Sequence, residues 1–304
     1  MDKDSLTKMK AYVAAITFAV LVGFSFIGIK TCVPVASTLH ILTWRYNWAF
    51  LGLLIILVLK LGKLELRGKP KKNLMLTAIF YISFMILQTF GLIFSTSIES
   101  AILFAIIPVI TKFIASTFLG EKSTSLQNIF TCLSVSALIV MIIMGATKIE
   151  ANLFGIVILL LSSMCMASSN VFMRYVRAVY KPIEITAMIA TMGFVLFNAT
   201  TLVYGIYSGD LSSYFAPLGN SAFVISTIYL GTGCILGSVL LMAYMLKTME
   251  AVKATIFGNL STAISIVAGL VVLGETLMLY HIICTILIIA GVIGVSFAGT
   301  KKLD

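Results

Sequence analysis

Residues 97–121 read "SIESAILFAIIPVITKFIASTFLGE", and residues 251–275 read "AVKATIFGNLSTAISIVAGLVVLGE". Both open on small residues, run through about 20 apolar positions and close on the same Leu-Gly-Glu. A helix rises about 1.5 Å per residue, so about 20 apolar residues cover the roughly 30 Å of hydrocarbon in a bilayer. Each stretch therefore reads as a membrane-spanning helix. Their common ending, 154 residues apart, indicates that one structural unit occurs twice in the chain. A shift of 144 similarly lays "FSFIGIK" (24–30) over "SSNVFMR" (168–174).

The rest of the sequence extends the pattern. Of 304 residues, 60% are apolar and 11% charged, and the mean hydropathy is +1.11, outside the range of soluble domains. Ten apolar runs can be drawn, at 11–30, 39–60, 73–94, 98–118, 126–146, 153–174, 183–207, 219–244, 252–273 and 278–298. The longest gaps, 60–72 and 208–219, are too short for a folded soluble domain. The fold class predicted is all-α integral membrane, with ten transmembrane helices as two five-helix repeats, 1–149 and 150–304. Five is odd, so the second repeat enters the membrane from the opposite face. Inverted repeats of this kind are widespread in secondary transporters, which bind substrate near the midplane between the halves.

The formal net charge of +10 would fit nucleic acid if the basic residues formed a soluble patch. Their placement argues against that. With the N-terminus in the cytoplasm, seventeen Lys and Arg fall on the inner side, only Lys30 and Lys148 on the outer, and Arg45 and Lys112 within spans. This is the positive-inside asymmetry of a multi-pass protein of the cell membrane, and it puts both termini in the cytoplasm. The N-terminal apolar run is too long for a cleaved signal, and no convincing small-x-small site follows it. Five scattered cysteines and two isolated histidines, His40 and His281, offer no metal-ligand spacing. The Gly-rich stretches "GFSFIG" (23–28) and "YLGTGCILGS" (229–238) lack the strand and the Lys-Ser of a phosphate loop. No metal, cofactor or nucleic-acid partner is predicted.

Taken with "LVGFSFIGIK" (21–30), "TWRYNWAF" (43–50), "ESAILFAIIPVITKFIASTFLGEK" (99–122) and the second Leu-Gly-Glu at 273–275, the chain resembles the drug/metabolite transporter superfamily, and within it the ten-span EamA-type transporters. The likeness covers essentially the whole chain. It implies a central cavity between the halves and transport, chiefly export, of small organic metabolites by alternating access. Amino acids are the substrate class expected first, with sugars or nucleobases as alternatives. The implied partners are a small-molecule substrate, the lipid bilayer and a coupling proton or other ion, for a monomer or homodimer. A pore or a polytopic lipid enzyme fits less well, the latter for want of intramembrane acid-base pairs.

Several intramembrane residues invite a role. Arg45 lies about 9 Å inside the second run at helical rise; it either snorkels to an outer belt with Trp44 and Trp48 or meets a substrate carboxylate. Arginine at this place also recurs in the family the chain resembles. Lys112 either anchors at the inner interface or lines the pathway. Glu99 suits a helix N-terminus electrostatically, and a semi-dry setting would equally fit it for proton coupling. Gln88, Asn170 and Asn259 are amides within spans, as is Asn198, suited to inter-helix or substrate hydrogen bonds. Tyr81 and Tyr244, with Phe84, Phe90, Phe104 and Tyr229, lie on spans expected near the cavity. Pro108 predicts a kink, and Gly258, near the aligned depth, predicts adaptable backbone in the ninth run. Gly231, Gly233 and Gly237 predict close packing or a hinge. Gly120 and Gly274 predict left-handed helix ends that leave Glu121 and Glu275 in the two opposite interfaces.

Overall fold

In hydrocarbon no water bonds the backbone, so each apolar run must satisfy its own N–H and C=O groups, and helices do so. The computed structural model describes residues 3–119, 124–146, 153–248 and 251–298, with some helix side chains, Asn259 among them, outside the description. All ten predicted runs are helical there. Seven stretches among the described residues are long and apolar enough to cross a membrane, and shorter apolar helices cover Leu260–Leu273 and Leu279–Gly291. Large apolar side chains face outward, with Val58, Phe113 and Val271 each more than 70% exposed. That surface suits lipid and would be untenable in water.

In chain order the helices are α1 (Lys3–Gly23), α2 (Ser25–Cys32), α3 (Thr38–Val58), α4 (Lys72–Gly91), α5 (Ser97–Phe104), α6 (Ile107–Leu119), α7 (Ser125–Ala146), α8 (Leu153–Val176), α9 (Pro182–Ser208), α10 (Ser221–Ile228), α11 (Ser238–Thr248), α12 (Ala251–Leu273) and α13 (Leu279–Ala298). Single-turn 3₁₀ segments at Leu211–Tyr214 and Ala216–Gly219 fill the connection between α9 and α10, and a π-helix, Tyr229–Gly237, joins α10 to α11.

Three runs read as single helices are interrupted. The first breaks after Gly23, where Ser265 of α12 donates its hydroxyl to the Gly23 carbonyl at 2.6 Å and so satisfies the acceptor that the break releases. The fourth breaks at Ala105–Ile106, just before Pro108, which has no N–H to give; Pro108 becomes the second residue of α6, a position that tolerates it. The eighth widens into the π-helix. The ninth run is the reverse case. Its predicted adaptable point at Gly258 lies inside an unbroken α12, because the position aligned with Pro108 is Thr262, which keeps its backbone N–H.

Packing links the two halves of the chain throughout. Helix α4 packs on α8, α1 on α11 and α12, α3 on α9 and the π-helix, α5 on α12, α6 on α8, and α7 on α13. Hydroxyls cross these seams to backbone carbonyls: Ser162 to Phe84 at 3.0 Å, Ser169 to Thr77 at 3.0 Å and Ser134 to Ile288 at 3.2 Å. Thr43 and Thr201 pair at 2.6 Å between α3 and α9. In a membrane, close fit and such bonds hold helices together, since lipid tails are as apolar as leucine. Of the three glycines of the π-helix, Gly231 fits most closely: a Cβ there would run into the carbonyl oxygen of Arg45 and lie 2.7 Å from Cβ of Trp48. Gly233 and Gly237 face Leu21 of α1 less tightly, at 3.3 and 3.4 Å.

Helix α12 ends as predicted, with Gly274 at φ 64°. Its neighbour corrects the expectation. Glu275 does not simply rest in the interface: its carboxylate oxygens accept from the backbone N–H of Ser97 at 2.8 Å and of Ile98 at 3.0 Å, at the N-terminus of α5. The other ending, Gly120 and Glu121, lies outside the described residues.

Candidate functional site

The break before Pro108 decides where the site lies. It ends α5 at Phe104, whose ring is in contact with all three apolar clusters of the protein. Phe104 lies 5.6 Å from the ring of Phe26 and 5.7 Å from that of Phe84. These rings wall a central cavity of about 60 Å³. Phe18 and Val22 of α1, Gln88 of α4 and Ile107 of α6 complete the wall from the first half of the chain. From the second half come Met166 and Asn170 of α8, Met242 of α11, and Gly258, Ser261 and Thr262 of α12.

Among the described lining residues none is charged. The hydroxyls there are committed: Ser261 donates to the Gly258 carbonyl at 2.5 Å, and Thr262 to the Ala101 carbonyl at 3.2 Å. The amides are not. Asn170 is 1% exposed and its Oδ1 has no hydrogen-bond partner, and Gln88, 3% exposed, makes no side-chain hydrogen bond among the described residues. A buried polar atom without a partner costs about 1–3 kcal/mol, so such atoms in a cavity mark where something else bonds. The hydroxyl contacts that align α4 and α8 set the two amides far apart. Asn170 sits beside the level of Thr77 and Gln88 lies eleven residues further along α4, about 16 Å at helical rise. The cavity is a slot that takes one amide from each half of the chain.

Arg45 occupies a separate position. It is 1% exposed, so it does not snorkel, and its guanidinium turns inward to Thr89 Oγ1 and Met85 Sδ, both at 3.2 Å. Its Nε has no partner. Phe84 and Gln88 face the slot, while Met85 and Thr89, one residue on and about 100° round the helix, face Arg45. Arg45 is therefore held on a neighbouring face of α4 and is not among the lining residues. Trp44, expected in an interfacial belt, is 8% exposed, and its indole N–H bonds the Tyr214 carbonyl at 3.1 Å, tying the connection between α9 and α10 to α3.

The remaining predicted residues lie off the slot. Lys112 is 9% exposed, with Nζ enclosed and without a hydrogen-bond partner among the described residues. Glu99 forms a capping box with Thr96, each side chain accepting the other's backbone N–H at 3.0 and 3.1 Å. Tyr81 is buried and reaches the Cys234 carbonyl at 3.5 Å, and Tyr244 packs against the main apolar cluster. Phe90 turns outward to Phe94 and Phe154, and Tyr229 bonds the Leu21 carbonyl. Asn198 joins a triad with Asn47 and Tyr214. The side chain of Asn259 lies outside the described residues. Phe18, Phe26, Met166, Met242, Ser261 and Thr262 were not singled out from the sequence. Only Ser261 and Thr262, one turn beyond Gly258, carried a signal.

The model of the EamA-like transporter family matches the chain twice, over residues 9–143 and 153–297. The chain belongs to this family. Among its relatives, the uncharacterized transporter YcxC of Bacillus subtilis (strain 168) is 34% identical over 294 residues, covering 96% of this chain and 94% of that protein. An uncharacterized transporter of Archaeoglobus fulgidus is 22% identical, over 93% of this chain and 98% of its own. A solved crystal structure, 14% identical, superposes with a TM-score of 0.66 over 97% of this chain and 98% of the other, which shows a common fold. As an EamA-like protein with relatives named as transporters, the chain is a multi-pass membrane transporter of the drug/metabolite type. The two matches meet at the slot: seven lining residues lie in the first and six in the second.

Proposed function

We propose that this EamA-like protein is a secondary transporter that moves small amphipathic organic metabolites across the cell membrane by alternating access, with export as its net direction. The observation that carries this reading is the central slot, walled by both segments that match the family model. Its volume of about 60 Å³ is well below the 300–1,000 Å³ of a typical small-molecule pocket. A solute enters only if the halves move apart, which suits a moving carrier.

The helix pairings support two inverted halves, 1–149 and 150–304. Numbering the runs from one to ten, the first packs on the ninth as the sixth packs on the fourth; the third packs on the sixth as the eighth packs on the first. The second and seventh pair with each other, as do the fifth and tenth. An axis in the membrane plane accounts for these matched pairs with both termini on one side, and the positive-inside asymmetry argues that this side is the cytoplasm. The driving force is a solute or proton gradient. Amino acids, the class that the family likeness implies, are the reference solutes.

The test is counterflow in proteoliposomes preloaded with amino acids, sugars or nucleobases, with and without a proton gradient. Saturable exchange of at least one solute is expected. Flux that never saturates and shows no counterflow would be that of a pore and would contradict the proposal.

A further inference from the structure

We infer that the central slot takes an uncharged heteroaromatic solute bearing an N–H donor, in preference to a zwitterionic amino acid. The inference rests on the transporter reading above and names its substrate class.

Charge decides first. A zwitterion brings a carboxylate and an ammonium, and each needs a counter-charge once water is removed. The described lining supplies neither. Of the buried cations described, Arg45 is held by Met85 and Thr89, about 100° round α4 from Phe84 and Gln88, and Lys112 is likewise not among the lining residues. A carboxylate in the slot would be stranded.

Shape and polarity come next. Phe18, Phe26, Phe84 and Phe104 line the slot, with Met166 and Met242 beside them. Ring faces and thioethers hold flat, polarizable molecules through offset stacking and sulfur contacts. A sugar would instead need several hydrogen bonds, and the Ser261 and Thr262 hydroxyls already donate to backbone carbonyls. What remains open is the Gln88 amide and the Asn170 side chain, both residues of the slot wall, with the Asn170 Oδ1 buried and unpartnered. A carbonyl oxygen in that setting calls for an N–H donor from the solute, and the Gln88 amide offers both donor and acceptor. Asn and Gln side chains pair with heterocyclic bases in the same chemical sense.

The test uses the full-length protein in proteoliposomes loaded with unlabelled adenine and presented with labelled adenine. Parallel arms use tryptophan as the zwitterion, tetraethylammonium as the cation and glucose as the neutral polyol. Saturable adenine exchange is expected, with little exchange in the other three arms. Asn170→Leu should slow adenine exchange about tenfold at limiting concentration, the equivalent of one hydrogen bond. Gln88→Leu should also slow it, and serves should the first variant fold poorly. Exchange of tryptophan, tetraethylammonium or glucose without adenine exchange overturns the inference, as does undiminished adenine exchange by both variants when folded. Exchange of none of the four solutes overturns this substrate class; no exchange across the wider panel overturns the transporter reading itself.

Discussion

Replacing Glu275 by glutamine tests how the two halves are held at the face opposite the termini. The carboxylate bridges the end of α12 to the first N–H groups of α5 through bonds of 2.8 and 3.0 Å. Hydrogen bonds to a charged group contribute about 1.5–3 kcal/mol each, and partial exposure of Glu275 argues for the low end. Glutamine keeps one acceptor oxygen and turns an NH₂ group toward the other N–H, so it loses about one bond, or about 1.5 kcal/mol. If the contact exists only while this face is closed, that loss raises the open-to-closed ratio about tenfold. The assay is the rate at which a membrane-impermeant maleimide labels a single cysteine at position 97, buried here, in a protein otherwise free of cysteine. Labelling about tenfold faster in Glu275→Gln is expected, with glutamate at 275 as the reference. An unchanged rate in a folded variant would refute the reasoning.

Other substitutions separate the structural roles. Arg45→Met should leave the melting temperature in detergent unchanged or raise it, because the guanidinium has no acidic partner among the described residues and its burial is costly; a fall of several degrees would contradict this. Gly231→Ala forces a Cβ into the Arg45 backbone and should destabilise by about 1–3 kcal/mol, read as a lower melting temperature. Gly258→Ala, with open space before it, should not. Glu184→Gln should release the 60–72 connection, which Glu184 holds through the Lys69 ammonium at 2.8 Å and the Glu65 N–H at 2.9 Å, and tryptic cleavage there should accelerate.

Much of the architecture is legible from local signals. Apart from the first, whose helix begins at Lys3 and not near residue 11, each apolar run fixed a helical stretch to within about four residues, and Pro108 marked its break because a missing N–H is a property of one residue. Gly231 was named for close packing for a similarly local reason. What the sequence left hidden depends on partners far along the chain. The break after Gly23 is stabilised by Ser265, 242 residues away, and the reach of Glu275 to α5 spans 178 residues. Depth in a helix says nothing of which way the helix is turned, so the contacts of Arg45 with Met85 and Thr89 were not legible in the sequence. The same rotation brought Gln88 and Asn170 to the slot and left Tyr81 and Tyr244 behind it.

The central claim is that the halves rock about the slot, and it is tested most directly by locking one face. In a protein with all native cysteines replaced, cysteines at 97 and 275 can be joined by a short bifunctional thiol reagent across the contact seen here. Counterflow of any solute that the protein exchanges should stop on cross-linking and return on cleavage of the link. Exchange that continues at its former rate with this face locked would contradict alternating access.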